Sequence, residues 1–177
     1  MKNALFLIAM VVFCSSGMAQ ESLSIEQLRQ SFQEISSKED IERIMNMSVD
    51  PKDPDARIAK AYQATSETMM AEYVFSPIKK LKYFNKGKAS LENLIKERKS
   101  AENVYLRLMI QLNIPKFLNY YKNIDEDINY VKTELPSAKI DGDYKCTMIR
   151  NLVTLAGEDE LKEDLLGIEL TCKNEKL

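Results

Sequence analysis

An all-α fold is the reading that three features of this sequence predict. Apolar residues recur at helical spacing through most of the chain after Ser24, capping signals stand ahead of most of those runs, and no segment shows the strict alternation of a half-buried strand. The five prolines and five glycines fall mainly at the edges of the periodic runs, where they act as punctuation. Together these predict a single domain, residues 20–177, of seven or eight helices joined by short links.

The elements follow in chain order. Ser24-Ile25-Glu26-Gln27 is a capping box, and Leu23 with Leu28 has the spacing of a hydrophobic staple. Ile25, Leu28, Phe32 and Ile35 then mark one face of a first helix running to about Ser36. Ser37 caps a short second helix whose Ile41, Ile44 and Met45 face inward. Asp53-Pro54 is a start signal, an N-cap acceptor followed by proline at the first helical position. The third helix carries Ile58, Ala61, Tyr62, Thr65, Met69 and Tyr73 in one stripe.

Ser76-Pro77 repeats that start signal for a fourth helix with Ile78, Leu81, Phe84, Leu91, Leu94 and Ile95 inward, and Gly87 placed for close approach of a neighbour. Ser100 caps a fifth, carrying Val104, Tyr105, Leu108 and Leu112 until Ile114-Pro115 ends it. Asn123 opens a sixth, with Ile128, Val131 and Leu135 on one face before Pro136. Residues 141–173 form a helical hairpin, Met148, Ile149, Leu152 and Leu155 on one arm and Leu161, Leu165, Ile168 and Cys172 on the other, turning at Gly157.

Residues 1–19 read as a cleaved export signal: Lys2, then ten apolar residues from Ala4 to Phe13, then Gly17-x-Ala19 with cleavage near Ala19. Ten residues span only about 15 Å as a helix, about half a bilayer core, and no other run is long enough to cross. Cys14 offers a second reading, a lipid-modified N-terminus, disfavoured by Phe13 where that chemistry normally has a small residue. Export to a periplasm or beyond permits disulfides, and cleavage leaves two cysteines, Cys146 and Cys172. Their offsets from Gly157, 11 and 15 residues, differ by about 6 Å along antiparallel helices, so a bridge stapling the hairpin is expected.

With 27 acidic and 25 basic residues, the net charge of −2 lacks the signature of a nucleic-acid binder. Histidine is absent, which removes Ser-His and Cys-His nucleophiles, His-ligated metals and imidazole acid–base chemistry. No phosphate-binding glycine loop and no nucleophile elbow occurs, and neither a cofactor nor a metal is expected. Glu67 and Glu72 are candidates for a lone catalytic carboxylate by position only.

The stretch from Tyr83 to Ile95 resembles the second helix of a tetratricopeptide-type unit, and Ser100 to Leu108 looks like the start of the next helix. The wider run from Ala61 to Val131 is similar to uncharacterised exported helical proteins of Bacteroidetes, most tellingly at Phe75-Ser76-Pro77-Ile78-Lys79-Lys80-Leu81-Lys82-Tyr83-Phe84. The resemblance implies tetratricopeptide-like helix pairs, with residues 53–112 as their core. It brings no catalytic residues with it.

Three constellations remain as candidate sites. Lys79, Lys82 and Lys86 share one helix face beside Tyr83 and Phe84, a surface for an acidic partner or simply a solvated face. Tyr62, Met69, Tyr105 and Tyr120 are candidates to line a small-ligand pocket. Asp125, Glu126 and Asp127 sit in a first helical turn, where the helix dipole accounts for them. The leading expectation is therefore a non-enzymatic binding or scaffolding module that contacts another envelope protein. A small-ligand carrier is the alternative, and a carboxylate-based envelope hydrolase comes third.

Overall fold

The computed structural model describes residues 24–157 and 161–175, so the export signal, Cys14 and Leu23 of the expected staple lie outside the described residues. Eight α-helices and two short 3-10 turns make up the fold, with no strand among the described residues: α1 (Ile25–Gln33), α2 (Lys38–Asn46), α3 (Ala56–Met69), α4 (Pro77–Glu97), α5 (Ala101–Asn113), α6 (Ile124–Glu134), α7 (Gly142–Ala156) and α8 (Leu161–Glu175). Short polar caps start most of them. Ser24 and Gln27 close a full capping box on α1, Ser37 and Asp40 on α2, and Ser100 and Asn103 on α5. Asp141 accepts from the amides of Asp143 and Tyr144 to open α7.

The start of α3 departs from expectation. Asp53 spends its carboxylate and carbonyl on Asp55 and Ala56 in a turn, so Pro54 precedes the helix by two residues and Asp55 holds the N-cap position. The other end departs too: α3 stops at Met69 and a 3-10 turn, Met70–Tyr73, carries Tyr73 out to solvent. At the end of α2, Gln63 of α3 donates to the carbonyls of Ile44, Met45 and Met47 at 3.3, 3.3 and 2.9 Å. That side chain satisfies acceptors which a helix terminus otherwise leaves open.

Helices α3 and α5 form the centre. Consecutive helices pair, α3 with α4, α5 with α6 and α7 with α8, while α3 also touches α1, α2 and α5, and α5 touches α4 and α7. Burial follows from this position: α3 is covered from Ala61 to Thr68 except at Gln63, and α5 from Ala101 to Gln111 except at Met109. The continuous core runs through Leu28, Phe32, Tyr62, Leu91, Val104, Leu108, Val131, Ile149, Leu152 and Leu165. Side chains of α7 reach back to α1, where Asn151 donates to Gln33 at 2.7 Å. An open solenoid confines contacts to adjacent repeats, whereas here the chain closes on its own first helix.

The α3–α4 pair packs backbone close to backbone. A Cβ at Gly87 would lie 2.4 Å from the Ala64 carbonyl oxygen, 2.6 Å from Thr68 Cγ2 and 2.8 Å from the Thr68 amide nitrogen. Ala64 on α3 keeps the facing surface low, so the backbones meet where the sequence places glycine. Gly87→Ala is therefore expected to destabilise the protein by about 1–3 kcal/mol through overpacking. Gly142→Ala, whose Cβ meets nothing within 4 Å, should stabilise by about 0.4–1 kcal/mol. Urea denaturation of the two variants measures both, and equal behaviour would refute the close contact.

The C-terminal hairpin differs from expectation at one point. Cys146 is a free, buried thiol on α7, and the side chain of Cys172 on α8 lies outside the described residues. The Cys146–Cys172 staple is therefore not part of this structure. Cys146 instead belongs to the apolar core that joins α7 to the rest of the domain, where a thiol packs as a small hydrophobe.

Candidate functional site

Charge is distributed in three places, and what each can do depends on how fully it is paired. Glu102, in the first turn of α5, is only 3% exposed. It accepts from Nε and Nη2 of Arg29 on α1, both at 2.7 Å, and from the Tyr62 hydroxyl on α3 at 2.7 Å. The Tyr144 hydroxyl on α7 stands 2.5 Å from that of Tyr62. Since Tyr62 donates to Glu102, Tyr144 donates to Tyr62 and in turn accepts from Gln33 at 3.3 Å. Asn151 links Gln33 to the Tyr105 hydroxyl at 2.9 Å. Burial, then the charge of Glu102, pushes the Tyr62 hydroxyl well above the ordinary tyrosine value. Burial alone would lower Arg29, but the bonds and charge of Glu102 outweigh it and hold the guanidinium above its ordinary value. Four helices meet here as a neutral donor chain ending on one matched ion pair.

A second pair joins α5 to α6. Arg107 donates from Nε and Nη2 to both oxygens of Asp127, at 2.7 and 2.6 Å, and from Nη1 to Glu92 on α4 at 3.0 Å. Tyr120 donates to the other oxygen of Glu92. The helix dipole thus accounts only for Asp125 and Glu126; Asp127 has no solvent exposure and is the bidentate partner of Arg107. Burial pushes its carboxyl up from the ordinary value against the pull of Arg107. Glu126 instead bonds Lys99, whose ammonium also sits 4.3 Å from the Tyr130 ring and which holds that carboxyl below its ordinary range.

Neither cluster leaves a cation or an anion free to act on a substrate. Of the two glutamates singled out by position, Glu67 is buried and pairs with Lys86 at 2.5 Å, while Glu72 lies on the rim of a cavity of about 340 Å3 between α1, α3, α5 and α7. Among the described residues no group of three or more acidic or cysteine side chains is placed to hold a metal ion. No helix among them is long and apolar enough to cross a membrane.

The expected aromatic pocket is not assembled. Tyr62 and Tyr105 are fully buried with their hydroxyls in the polar chain. Met69 lines the 340 Å3 cavity. Tyr120 packs edge-on against Phe84 and lines a different cavity of about 570 Å3. The reason is the axial rotation of α3 and α5, which turns their tyrosines into the centre and away from either opening.

The lysines do converge. Lys79, Lys82 and Lys86 line one cleft of about 370 Å3 with Glu67, Val74 and Tyr83. Lys86 is engaged by Glu67, whereas Lys79 and Lys82 form no ion pair among the described residues. At the same end stand two residues that periodicity assigned to the core, Ile78 at 81% exposure and Leu81 at 47%, and just before the helix Phe75 projects fully into solvent. Helix length explains this. Helix α4 has 21 residues against 14 in α3, a difference of about 10 Å at 1.5 Å per residue. Its first two turns therefore run beyond the core, alongside the 3-10 turn at Met70–Tyr73.

Ile78 and Leu81 escaped the pattern reading because a helical stripe continues past the point where a neighbour ends. One signal was present: from Tyr73 through Leu91 there is no acidic residue and there are five lysines. Phe117 and Tyr121, in the link after α5, are likewise exposed, while Tyr120 beside them is buried.

The buried pairs generate a direct test. Glu102→Gln strands Arg29 without a counter-charge and should cost about 3–5 kcal/mol in urea denaturation, whereas the double substitution Arg29→Met with Glu102→Met should recover most of that loss. Equal stability of Glu102→Gln and the parent would show that the pair carries no coupling. As to relatives, comparison with protein-family models, with curated proteins and with solved structures finds no match to this chain.

Proposed function

We propose that this chain is a non-enzymatic binding module of the cell envelope that docks a partner protein on the overhanging end of α4. The observation that carries the reading is the coincidence of exposed Phe75, Ile78 and Leu81 with unpaired Lys79 and Lys82 on one short segment. Exposed apolar side chains gathered in one place mark interaction surfaces, and burying a side chain such as Phe75 or Ile78 on a partner contributes about 1.5–3 kcal/mol. The lysines select an acidic partner surface and repel a basic one. The export-like N-terminus supports an envelope location, and full pairing of the interior charges supports a role other than catalysis.

The test is site-specific photo-crosslinking in intact cells from Phe75 and from Ile78, with Lys96 near the far end of α4 as control. A discrete protein adduct from the first two positions and not from the third is expected. With that partner purified, Ile78→Asp and the pair Lys79→Glu, Lys82→Glu should each weaken binding by at least about tenfold, with thermal unfolding unchanged because these side chains bury nothing. Adducts to lipid alone, or equal adducts from Lys96, would overturn the reading.

A further inference from the structure

Hydrogen-bond donors and acceptors are unevenly spent around the cavity of about 340 Å3 between α1, α3, α5 and α7. On its α3 wall the Thr68 hydroxyl gives its hydrogen to the Thr65 carbonyl at 2.7 Å, and on its α7 wall Thr154 gives its own to the Arg150 carbonyl at 2.8 Å. Asn151 donates from Nδ2 to Gln33 and to the Tyr105 hydroxyl, and Gln33 donates to Tyr144. What these side chains have left to offer is mainly acceptor capacity, since a hydroxyl that donates to a carbonyl keeps lone pairs to share. The Asn151 carbonyl oxygen shows this most plainly: it accepts no hydrogen bond among the described residues and is not sealed from solvent.

Charge points the same way. Glu72, in the 3-10 turn after α3, is exposed on the rim and forms no ion pair or hydrogen bond among the described residues. Glu67, earlier on α3, is by contrast paired with Lys86. No lysine or arginine lines the cavity, so the Glu72 carboxylate is its only charge. Phe32, Ile35, Met69, Met109 and Ile114 supply apolar wall, and the two methionines adapt readily to the shape of what they touch. The volume stands at the lower end of the range for small-molecule sites.

From these observations we infer that the cavity binds a small organic cation, an apolar body carrying a primary ammonium group, with Glu72 as the counter-charge and the body against Met69 and Met109. An ammonium has three donors and no acceptor, which suits a lining whose own donors are mostly committed. An anionic ligand would meet Glu72 and find no cation. A metal ion needs several converging oxygen ligands, and one carboxylate beside apolar walls does not supply them. The cavity shares no lining residue with the lysine cleft of α4, and the inference does not depend on docking there.

The experiment uses the exported chain, labelled with 13C at its methionine methyl groups. Benzylamine, an ammonium ion at neutral pH, is the probe; benzyl alcohol, which is uncharged, and benzoate, which is anionic, are comparators of the same size. Benzylamine is expected to shift the Met69 and Met109 methyl resonances saturably, with a dissociation constant of about 10 mM or tighter, as suits a probe so small. The Met45 methyl, which lines a different cavity, should not move. Benzyl alcohol and benzoate should each bind about threefold or more weakly, the scale set by a partly solvated charge pair. Glu72→Gln should bring benzylamine to the affinity of the alcohol and leave the melting temperature unchanged, because that carboxylate is exposed and unpaired. Three results would overturn the proposal: no saturable shift at Met69 and Met109, benzylamine binding no tighter than benzyl alcohol, or a preference for the amine that survives Glu72→Gln.

Discussion

A carboxylate placed inside a helical core must be neutralised where it stands, and in this protein the position of Glu102 governs how four helices meet. Water offers a charge many kcal/mol of solvation that the interior does not. The side chain is therefore held by a bidentate guanidinium from α1 and a hydroxyl from α3, and the same hydroxyl is tied to α7. Any rotation of α5 about its axis would pull Glu102 away from the guanidinium and the Tyr62 hydroxyl at once. The second pair, Arg107 with Asp127, applies the same constraint between α5 and α6 one and a half turns further along. Apolar packing supplies the bulk of the driving force, but it tolerates sliding; directional pairs of buried charge do not.

Such an interior has a functional consequence. Charges that neutralise one another deep in the core are withdrawn from chemistry, and tyrosines whose hydroxyls are held in a donor chain are poor ligand contacts. What remains available as an open surface lies where the core ends, at the overhang of α4 with exposed Ile78 and the adjoining Phe75. It arises because α4 extends past the helix it packs against. Length mismatch between packed helices is thus the origin of the candidate surface.

Close packing and charge pairing also divide the labour between α3's two flanks. Toward α4, Ala64 and Gly87 let backbones touch, and small side chains specify the register by contact. Toward α5, Tyr62 spans the gap and specifies it by hydrogen bonding. The rotation of α3 that serves both neighbours places Met69 alone of the four expected pocket residues on the 340 Å3 cavity.

The all-α class, the order of the helices and most of their starts were legible in the sequence, because capping and periodicity are local: Ser24, Ser37, Ser76, Ser100 and Asp141 all open helices as their own neighbours dictate. Gly87 was legible as well, since a glycine in a long helix has few uses other than close approach. Three kinds of feature required the tertiary structure. Partners distant in sequence did, as in Arg29 with Glu102 across 73 residues; no local pattern encodes which of many charges will be buried together. The fate of Ile78 and Leu81 did, because burial depends on whether a neighbouring helix reaches that far. So did the reading of Asp127, which resembles an ordinary dipole-favoured acid until α5 brings Arg107 against it. Local backbone preferences are written residue by residue, whereas burial and pairing are properties of the assembled helices.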